Sequence, residues 1–398
     1  MKRLVILGAG YGGLAVAQRL DALTRGRGQW EVVLVDHRDY HLIQVRVHEV
    51  AANSIPAARV KVPLSELLDG RNIKFTQARI EKIDPVAKQV QTSTGPISYD
   101  RLVVSLGSVT AFRDIPGLQE HAFPMKDLED AVAYRKAVIQ AFKEAAKDDA
   151  EPLRKNDPRL TFVIGGGGLT GTELAAEMVD FCNDLCQRFP AARKAYRVVL
   201  VEAADHLLPQ LSRANGEYVK EELRFKNVAV LTGVFIERVE PGKVYLKNGK
   251  VLSGNVICWA GGVQAPAIIR ESSFETTKDG RIPTDKFLRS TQFPDVYALG
   301  DCAAIPDPRT GKTVPLTGQY AELEGHYIGE SLHNEERNQP LTPYHPFTLG
   351  TSISLGRREA LTLSGPLRLT GLPGRLAKDV SYGKYEFAIR SNLPVIVP

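Results

Sequence analysis

The chain is poor in cysteine and has no long apolar run. Only Cys182, Cys186, Cys258 and Cys302 occur in 398 residues, and no two form a CxxC pair. A disulfide framework is not expected in a chain this long, so a reducing, cytoplasmic setting is the default. No stretch approaches the roughly 18 apolar residues of a membrane-spanning helix. Met1-Lys2-Arg3 and Leu4-Val5-Ile6-Leu7 imitate the start of a signal peptide, but Gly8, Gly10, Gly12 and Gly13 break the run too early for one. No basic run is interleaved with aromatics, so nucleic acid is not an expected partner. The net charge of +5 is mild and reads as a solvated surface. His37, His41 and His48 cluster loosely at a spacing that suits no standard metal site, and no metal is expected.

What the chain does have is glycine in short runs. Lys2 to Leu7 reads as a buried strand, Gly8 to Gly13 as a turn, Gly12 to about Leu23 as a helix, and Glu31 to Asp36 as a second strand ending on a carboxylate. Gly8-Ala9-Gly10-Tyr11-Gly12-Gly13 satisfies GxGxxG. Gly8 permits the tight turn, Gly10 lets backbone approach a pyrophosphate, and Gly13 allows close helix–strand packing. The helix N-terminus adds free N–H groups and a positive dipole end. Asp36 stands where an acid bonds ribose hydroxyls.

The pattern returns 158 residues later. Leu160 to Ile164 reads as a strand, Gly165 to Gly171 as a turn, Thr170 to about Arg188 as a helix, and Arg197 to Glu202 as a strand. Gly166, Gly168 and Gly171 supply the spacing. Glu202 at the strand end favours NADH, because a carboxylate there repels a 2′-phosphate and its neighbours Ala203, Ala204 and Asp205 are not basic. Two cradles imply two dinucleotides, with FAD plus NAD the common combination. The fold class expected is α/β, with two Rossmann-like dinucleotide-binding domains of three-layer ββα type and a smaller C-terminal region. A helix is expected from Asp127 to about Asp148, a charged surface linker from Glu151 to Pro158, a hairpin turn at Asn248-Gly249, and a separate β/α tail after Pro346.

Further segments resemble the two-dinucleotide flavoprotein superfamily. Tyr297-Ala298-Leu299-Gly300-Asp301 is similar to its late flavin motif, whose aspartate bonds the ribitol of FAD. Leu102 to Ser108, including Gly107, is similar to the strand and turn before the NAD domain. Within the superfamily the chain resembles the type II NADH:quinone oxidoreductases, the single-subunit, non-proton-pumping NADH dehydrogenases. The resemblance lies in Asp36 to Leu42, His48 to Ala51, Gly168 to Ala175, Trp259 to Ala265 and Leu355 to Arg358.

The resemblance implies tightly but non-covalently bound FAD, NADH as hydride donor and a quinone as acceptor. It implies that Gly8, Gly10, Tyr11, Gly12, Gly13, Asp36, His37, Arg38, Gly107, Gly300, Asp301 and Gly318 contact FAD. Gly166, Gly168, Leu169, Thr170, Gly171, Glu202 and Gly262 would serve NADH. Glu173 would orient the nicotinamide or assist proton delivery, and Gln319 would sit at the flavin edge. Expected domains are an FAD-binding domain of residues 1–112 and 263–335, an NAD(H)-binding domain of 113–262, and a C-terminal region of 336–398 that contacts a membrane or a second protomer. A homodimer is expected, peripheral on the inner face of the cell membrane.

The chain departs from the family in three places. Leu323 stands where a second glutamine is frequent, four residues after Gln319. Val45-Arg46-Val47 replaces a stretch usually apolar with a proline. The tail from Leu367 to Pro398 lacks the Trp-rich character of strongly membrane-docked members. The acceptor therefore has two other readings, a ferredoxin-type protein or a small oxidant, with NADH or NADPH as the donor. A redox-controlled binding module is the alternative from another class. No redox cysteine pair is available for disulfide chemistry; Cys182 and Cys186 sit at i, i+4 on one helix and read as packed thiols.

Overall fold

The computed structural model describes residues 2–25, 27–147, 153–193 and 195–391. Met1, the expected helix end at Asp148, the linker start at Glu151 and residues 392–398 of the tail lie outside them.

The first glycine corner joins β1 (Lys2–Leu7) to α1 (Tyr11–Thr24), and β2 (Trp30–Asp36) follows. After the short α2 (Val47–Ala51) come β3 (Ile73–Gln77) and β4 (Arg101–Val104). β1 is central and pairs in parallel with β2 on one side and β4 on the other; β3 extends the β2 side. Leu4 to Leu7 are fully buried. An all-parallel sheet covered on both faces asks for such a continuous apolar run.

The second unit repeats this plan. β5 (Phe123–Pro124) and α3 (Leu128–Lys147) lead into β6 (Thr161–Gly165), α4 (Leu169–Arg188), β7 (Arg197–Val201), β8 (Val228–Leu231) and β9 (Val256–Trp259). Here β6 is central, β7 and β8 lie to one side, and β9 and β5 to the other, all in parallel. Pro158–Leu160 forms a 3-10 turn, with the Asp157 side chain accepting from the Arg159 N–H, so β6 starts one residue after the expected Leu160.

Each unit also carries a three-stranded antiparallel meander, Ile80–Asp84, Gln89–Thr92 and Gly95–Ser98 in the first, and Ile236–Glu240, Lys243–Leu246 and Val251–Ser253 in the second. Both meanders open with an irregularity, between Ile80 and Lys82 and between Ile236 and Arg238. The expected α/β class with two parallel-sheet domains is what the structure has. The chain crosses between the units on Val109–Thr110 and Val263–Gln264, which pair antiparallel.

The chain then returns to the first sheet, where β10 (Val296–Ala298) adds the edge next to β4. The helix α5 (Gly318–Glu336) packs along α1. The approach is close: a Cβ on Gly325 would meet the Gly12 carbonyl and, at 2.7 Å, the Ala15 Cβ. Last come a small sheet, β11 (Thr351–Ser354), β12 (Ala360–Ser364) and β13 (Leu367–Leu369), and the helix α6 (Gly371–Arg390) lying on it.

Candidate active site

The first cradle is shaped by sterics at two glycines. Gly8 has φ of +99°, and a Cβ there would lie 2.5 Å from the Ser105 carbonyl oxygen. A Cβ on Gly13 would run into the Gly8 carbonyl. Gly10 caps α1 and has nothing within 4 Å of a Cβ, so the space before the helix N-terminus is open. Asp36 reaches back from β2 and accepts from the Ala9 N–H at 2.6 Å and the Arg38 N–H at 2.9 Å. Burial raises the Asp36 carboxyl, but the His37 ring and those two N–H groups outweigh it and hold it below the usual range. His37 lies beside Asp36, while Arg38 pairs with Asp127 at 2.8 Å.

Asp301 accepts from the Ser108 hydroxyl at 2.5 Å and from the Lys126 ammonium at 3.3 Å. Gly107, at φ of +65°, faces open space beside it, and the Gly300 N–H donates to buried Glu324 at 2.7 Å. Burial pushes the Glu324 carboxyl up to about 8. Gly318 begins α5 against the Tyr11 ring. Tyr11 also packs on His41 and Tyr385, with ring centroids at 5.2 and 5.0 Å.

The second cradle is the same device. Gly166 has φ of +103°, a Cβ on Gly171 would run into the Gly166 carbonyl, and Gly168 caps α4 with open space before it. Glu202 accepts from the Gly167 N–H at 2.5 Å and the Ala204 N–H at 2.7 Å. Leu169 and Thr170 form the half-buried first turn of α4. Gly262, at φ of +141°, lies against the Arg113 guanidinium, and its carbonyl accepts from the Ala111 N–H at the domain crossing.

Between the cradles lies a buried polar cluster. Glu173, one turn into α4, is 6% exposed, so it does not face solvent. Its Oε1 accepts from the Ser354 N–H at 2.9 Å and from the Lys378 ammonium. Its Oε2 lies 3.8 Å from His48 Nδ1. Burial raises the Glu173 carboxyl, but Lys378 and His48 outweigh it and keep it below the ordinary range. Tyr385, two turns along α6 from Lys378 and so about 10 Å away, bonds His41 Nε2 at 2.8 Å. His41 Nδ1 lies 3.0 Å from the Ala9 carbonyl in the first cradle. Because a carbonyl only accepts, Nδ1 carries the hydrogen and Nε2 accepts from Tyr385. Burial lowers the His41 pKa, which keeps that neutral form. The helix α6 thus ties the first cradle to the Glu173 cluster.

The chain is similar to several known proteins. A family model described as pyridine nucleotide-disulphide oxidoreductase matches residues 2–325. The type II NADH:quinone oxidoreductase of Staphylococcus saprophyticus is 30% identical over 363 residues, 90% of this chain and 89% of that protein. The chain belongs to the pyridine nucleotide-disulphide oxidoreductase family, in its type II NADH:quinone oxidoreductase group. The Staphylococcus aureus protein of the same name is 28% identical over 95% of this chain and 94% of its own length. Among solved structures, Plasmodium falciparum NDH2 in complex with NADH superposes with a TM-score of 0.85 at 18% identity, over 99% of this chain and 100% of that one. The sulfide:quinone oxidoreductase of Aquifex aeolicus gives 0.79 at 21% identity, over 98% and 92%. These two likenesses are likenesses of fold. The family resemblance read from the motifs therefore stands, and the chain is an oxidoreductase.

The structure gathers Tyr11, Gly318 and Asp36 around one cradle, Glu202 at the other, and Glu173 between. The Gln319 Oε1 accepts from Thr348 Oγ1 at 3.0 Å and from the Leu349 N–H at 3.1 Å. Arg46 is buried. It is 9% exposed, pairs with Glu49 at 2.7 Å and Glu386 at 3.4 Å, and lies over the Tyr382 ring. Sequence reasoning missed Lys378, Lys126, Ser354 and Tyr385. Lys378 had one faint signal, a lysine on the inward face of an amphipathic helix. All four cysteines are buried and free.

Proposed function

We propose that this chain is a flavin-dependent NADH dehydrogenase that passes electrons from NADH to a quinone. One observation carries the reading: two cradles of matching geometry, each closed by an acid at a strand end, with a buried Glu173–Lys378 pair between them. The residues of the first cradle fit FAD. Gly8 and Gly13 let the corner close tightly on itself, and the open space at Gly10 leaves room for a diphosphate at the α1 N-terminus. Asp36 would hold the adenosine ribose and Asp301 the ribitol, and Lys126, paired with Asp301, would place a positive charge beside it. When bound, FAD supplies two-electron chemistry that protein side chains lack.

The chain's own residues bind and orient. Glu202 would bond the ribose hydroxyls of NADH, and a 2′-phosphate would meet its charge. The α5 N-terminus at Gly318 and Gln319 directs its dipole and free N–H groups toward developing negative charge. Glu173 and Lys378 would hold and supply a proton where the acceptor is reduced. Arg46 and Leu323 leave a second reading for the acceptor, a small oxidant or ferredoxin-type protein, because they replace residues usual in quinone-reducing relatives.

No helix among the described residues is long and apolar enough to cross a membrane. Leu372, Leu376, Val380 and Phe387 nevertheless form an exposed stripe along α6, four residues apart at first. This stripe is the surface we assign to peripheral membrane contact. The deciding experiment is oxidation of NADH and NADPH by the purified yellow protein, with menadione, a ubiquinone analogue and a disulfide in parallel. NADH-specific quinone reduction is expected. A colourless protein that cannot be reconstituted with flavin, or fast NADPH or disulfide turnover, overturns the assignment.

A further inference from the structure

We infer that Ser54, Glu177 and His48 form a path that brings protons from solvent to the Glu173–Lys378 pair. The inference rests on the quinone reading above. NADH, a quinone and one proton give NAD⁺ and a quinol. Nicotinamide C4 loses a hydride and is oxidised; the quinone gains two electrons and forms two O–H bonds. The hydride accounts for one hydrogen, so the second comes from water. Glu173 and Lys378 are 6% and 2% exposed. A proton spent there must be replaced through the protein.

The groups run in one direction. His48, on α2, has Nε2 3.2 Å from the Ser354 hydroxyl and Nδ1 3.8 Å from Glu173 Oε2. His48, Glu49 and Glu177 each bring one ring nitrogen or carboxylate oxygen within 4.8 Å of the others. Glu177 lies one turn beyond Glu173 on α4, fully buried, and its Oε2 accepts from the Ser54 hydroxyl. Its Oε1 is buried without a hydrogen-bond partner. The Ser54 oxygen in turn accepts from Arg357 Nε at 3.1 Å, which leaves its own hydrogen aimed at Glu177. Ser54 is half-buried, and Arg357 pairs at 2.6 Å with Asp184, which is 46% exposed. The path therefore ends at the surface.

Besides Arg357 and Asp184, the titratable and charged groups around it are Arg46 and Glu49 at α2, Glu173 on α4, and Arg375, Lys378 and the neutral Tyr382 on α6. Arg375 sits 3.5 Å from Glu49 and 3.7 Å from Glu177, and so supplies the positive charge that a cation would otherwise bring. Burial lifts the Glu177 carboxyl above its ordinary range, so it holds a proton more readily than a surface glutamate.

The test compares two acceptors on the flavin-loaded full chain. Menadione takes up a proton on reduction. Ferricyanide takes none, because two ferricyanides and NADH give NAD⁺, two ferrocyanides and a released proton. In Glu177→Gln, kcat with menadione is expected to fall about tenfold or more, increasingly as pH rises from 6 to 9. KM and ferricyanide turnover stay within about twofold. Ser54→Ala should show the same split more weakly, and it carries the test should Glu177→Gln fail to fold. Equal loss with both acceptors, or none with menadione, overturns the path. A wild-type enzyme that reduces ferricyanide but no quinone overturns the quinone reading itself, and the path with it.

Discussion

The two cradles share a backbone but not a neighbourhood. In both, the first glycine N–H bonds the end of the next strand at 2.8 Å, Gly8 to Val35 and Gly166 to Val201. In both, the cap glycine carbonyl accepts at 3.1 Å from the residue four ahead, Leu14 and Thr172. Divergence begins one helical turn on. Ala15 and Arg19 on α1 occupy the places of Glu173 and Glu177 on α4. On α1 that face is covered by Gly325 and Gly329 of α5, helix against helix. On α4 it meets α2, β11 and α6, which bring His48, Ser354 and Lys378. The same glycine corner is followed by a helix face covered by another helix on one side and by a buried polar cluster on the other, through what packs against the first two turns.

The strongest way to break this comparison is to fill each corner. Gly13→Ala and Gly171→Ala would each drive a Cβ into a carbonyl, a strain of at least about 1–3 kcal/mol. Gly13→Ala is expected to lose flavin, read from the visible absorbance against protein absorbance. Gly171→Ala should keep its flavin and raise KM for NADH about tenfold. Identical losses in the two variants would show that the corners do not hold different nucleotides.

A smaller effect follows from the strand-end acids. Hydrogen bonds to a carboxylate contribute about 1.5–3 kcal/mol. Glu202→Ala should raise KM for NADH about tenfold and narrow the preference over NADPH, with flavin content unchanged. Asp36→Ala should weaken flavin retention and leave KM for NADH alone. A changed flavin content in the Glu202 variant would count against the division of labour.

pH sharpens the contrast further, because Glu324 has no counterpart near the second cradle's corner among the described residues. Its folded pKa is raised from 4.5 to about 8. The folded protein keeps the proton where the unfolded chain gives it up, so the stability from this group is full below 4.5 and lost as pH climbs to 8. Glu324→Gln cannot ionise, and its thermal midpoint should fall by roughly 2–4 °C less than wild type between pH 5 and 8. A parallel decline would assign the slope to other groups.

The smallest effect is expected at His41, whose folded pKa is lowered by burial. There the unfolded chain binds the proton first, so stability is lost as pH falls below about 6.5. His41→Gln should flatten the midpoint between pH 7 and 5 by no more than about 2 °C.

Both corners, their helices, the acid that ends β2 and the acid that follows β7 were legible in the sequence, because each is built from neighbours in the chain and the corners demand glycine by sterics. The element ends were read to within a residue or two, as at Tyr11 and Leu169. The short pair Tyr40–Leu42 and Lys61–Pro63 was not, since two three-residue strands 18 residues apart leave no periodic trace. Arg46 could be read only as a departure from the family, because its pairing with nearby Glu49 says nothing of burial and its second partner, Glu386, lies 340 residues away.

By itself, the sequence determined that two glycine corners exist, which acid closes each, and that no cysteine pair is at hand for disulfide chemistry. These are local facts, fixed by φ/ψ limits and residue type. The tertiary structure alone decided that Glu173 is buried against Lys378 rather than solvated, and that the last helix joins both cradles. Burial and charge pairing are set by residues some 200 positions apart, and no local pattern encodes which of them will meet.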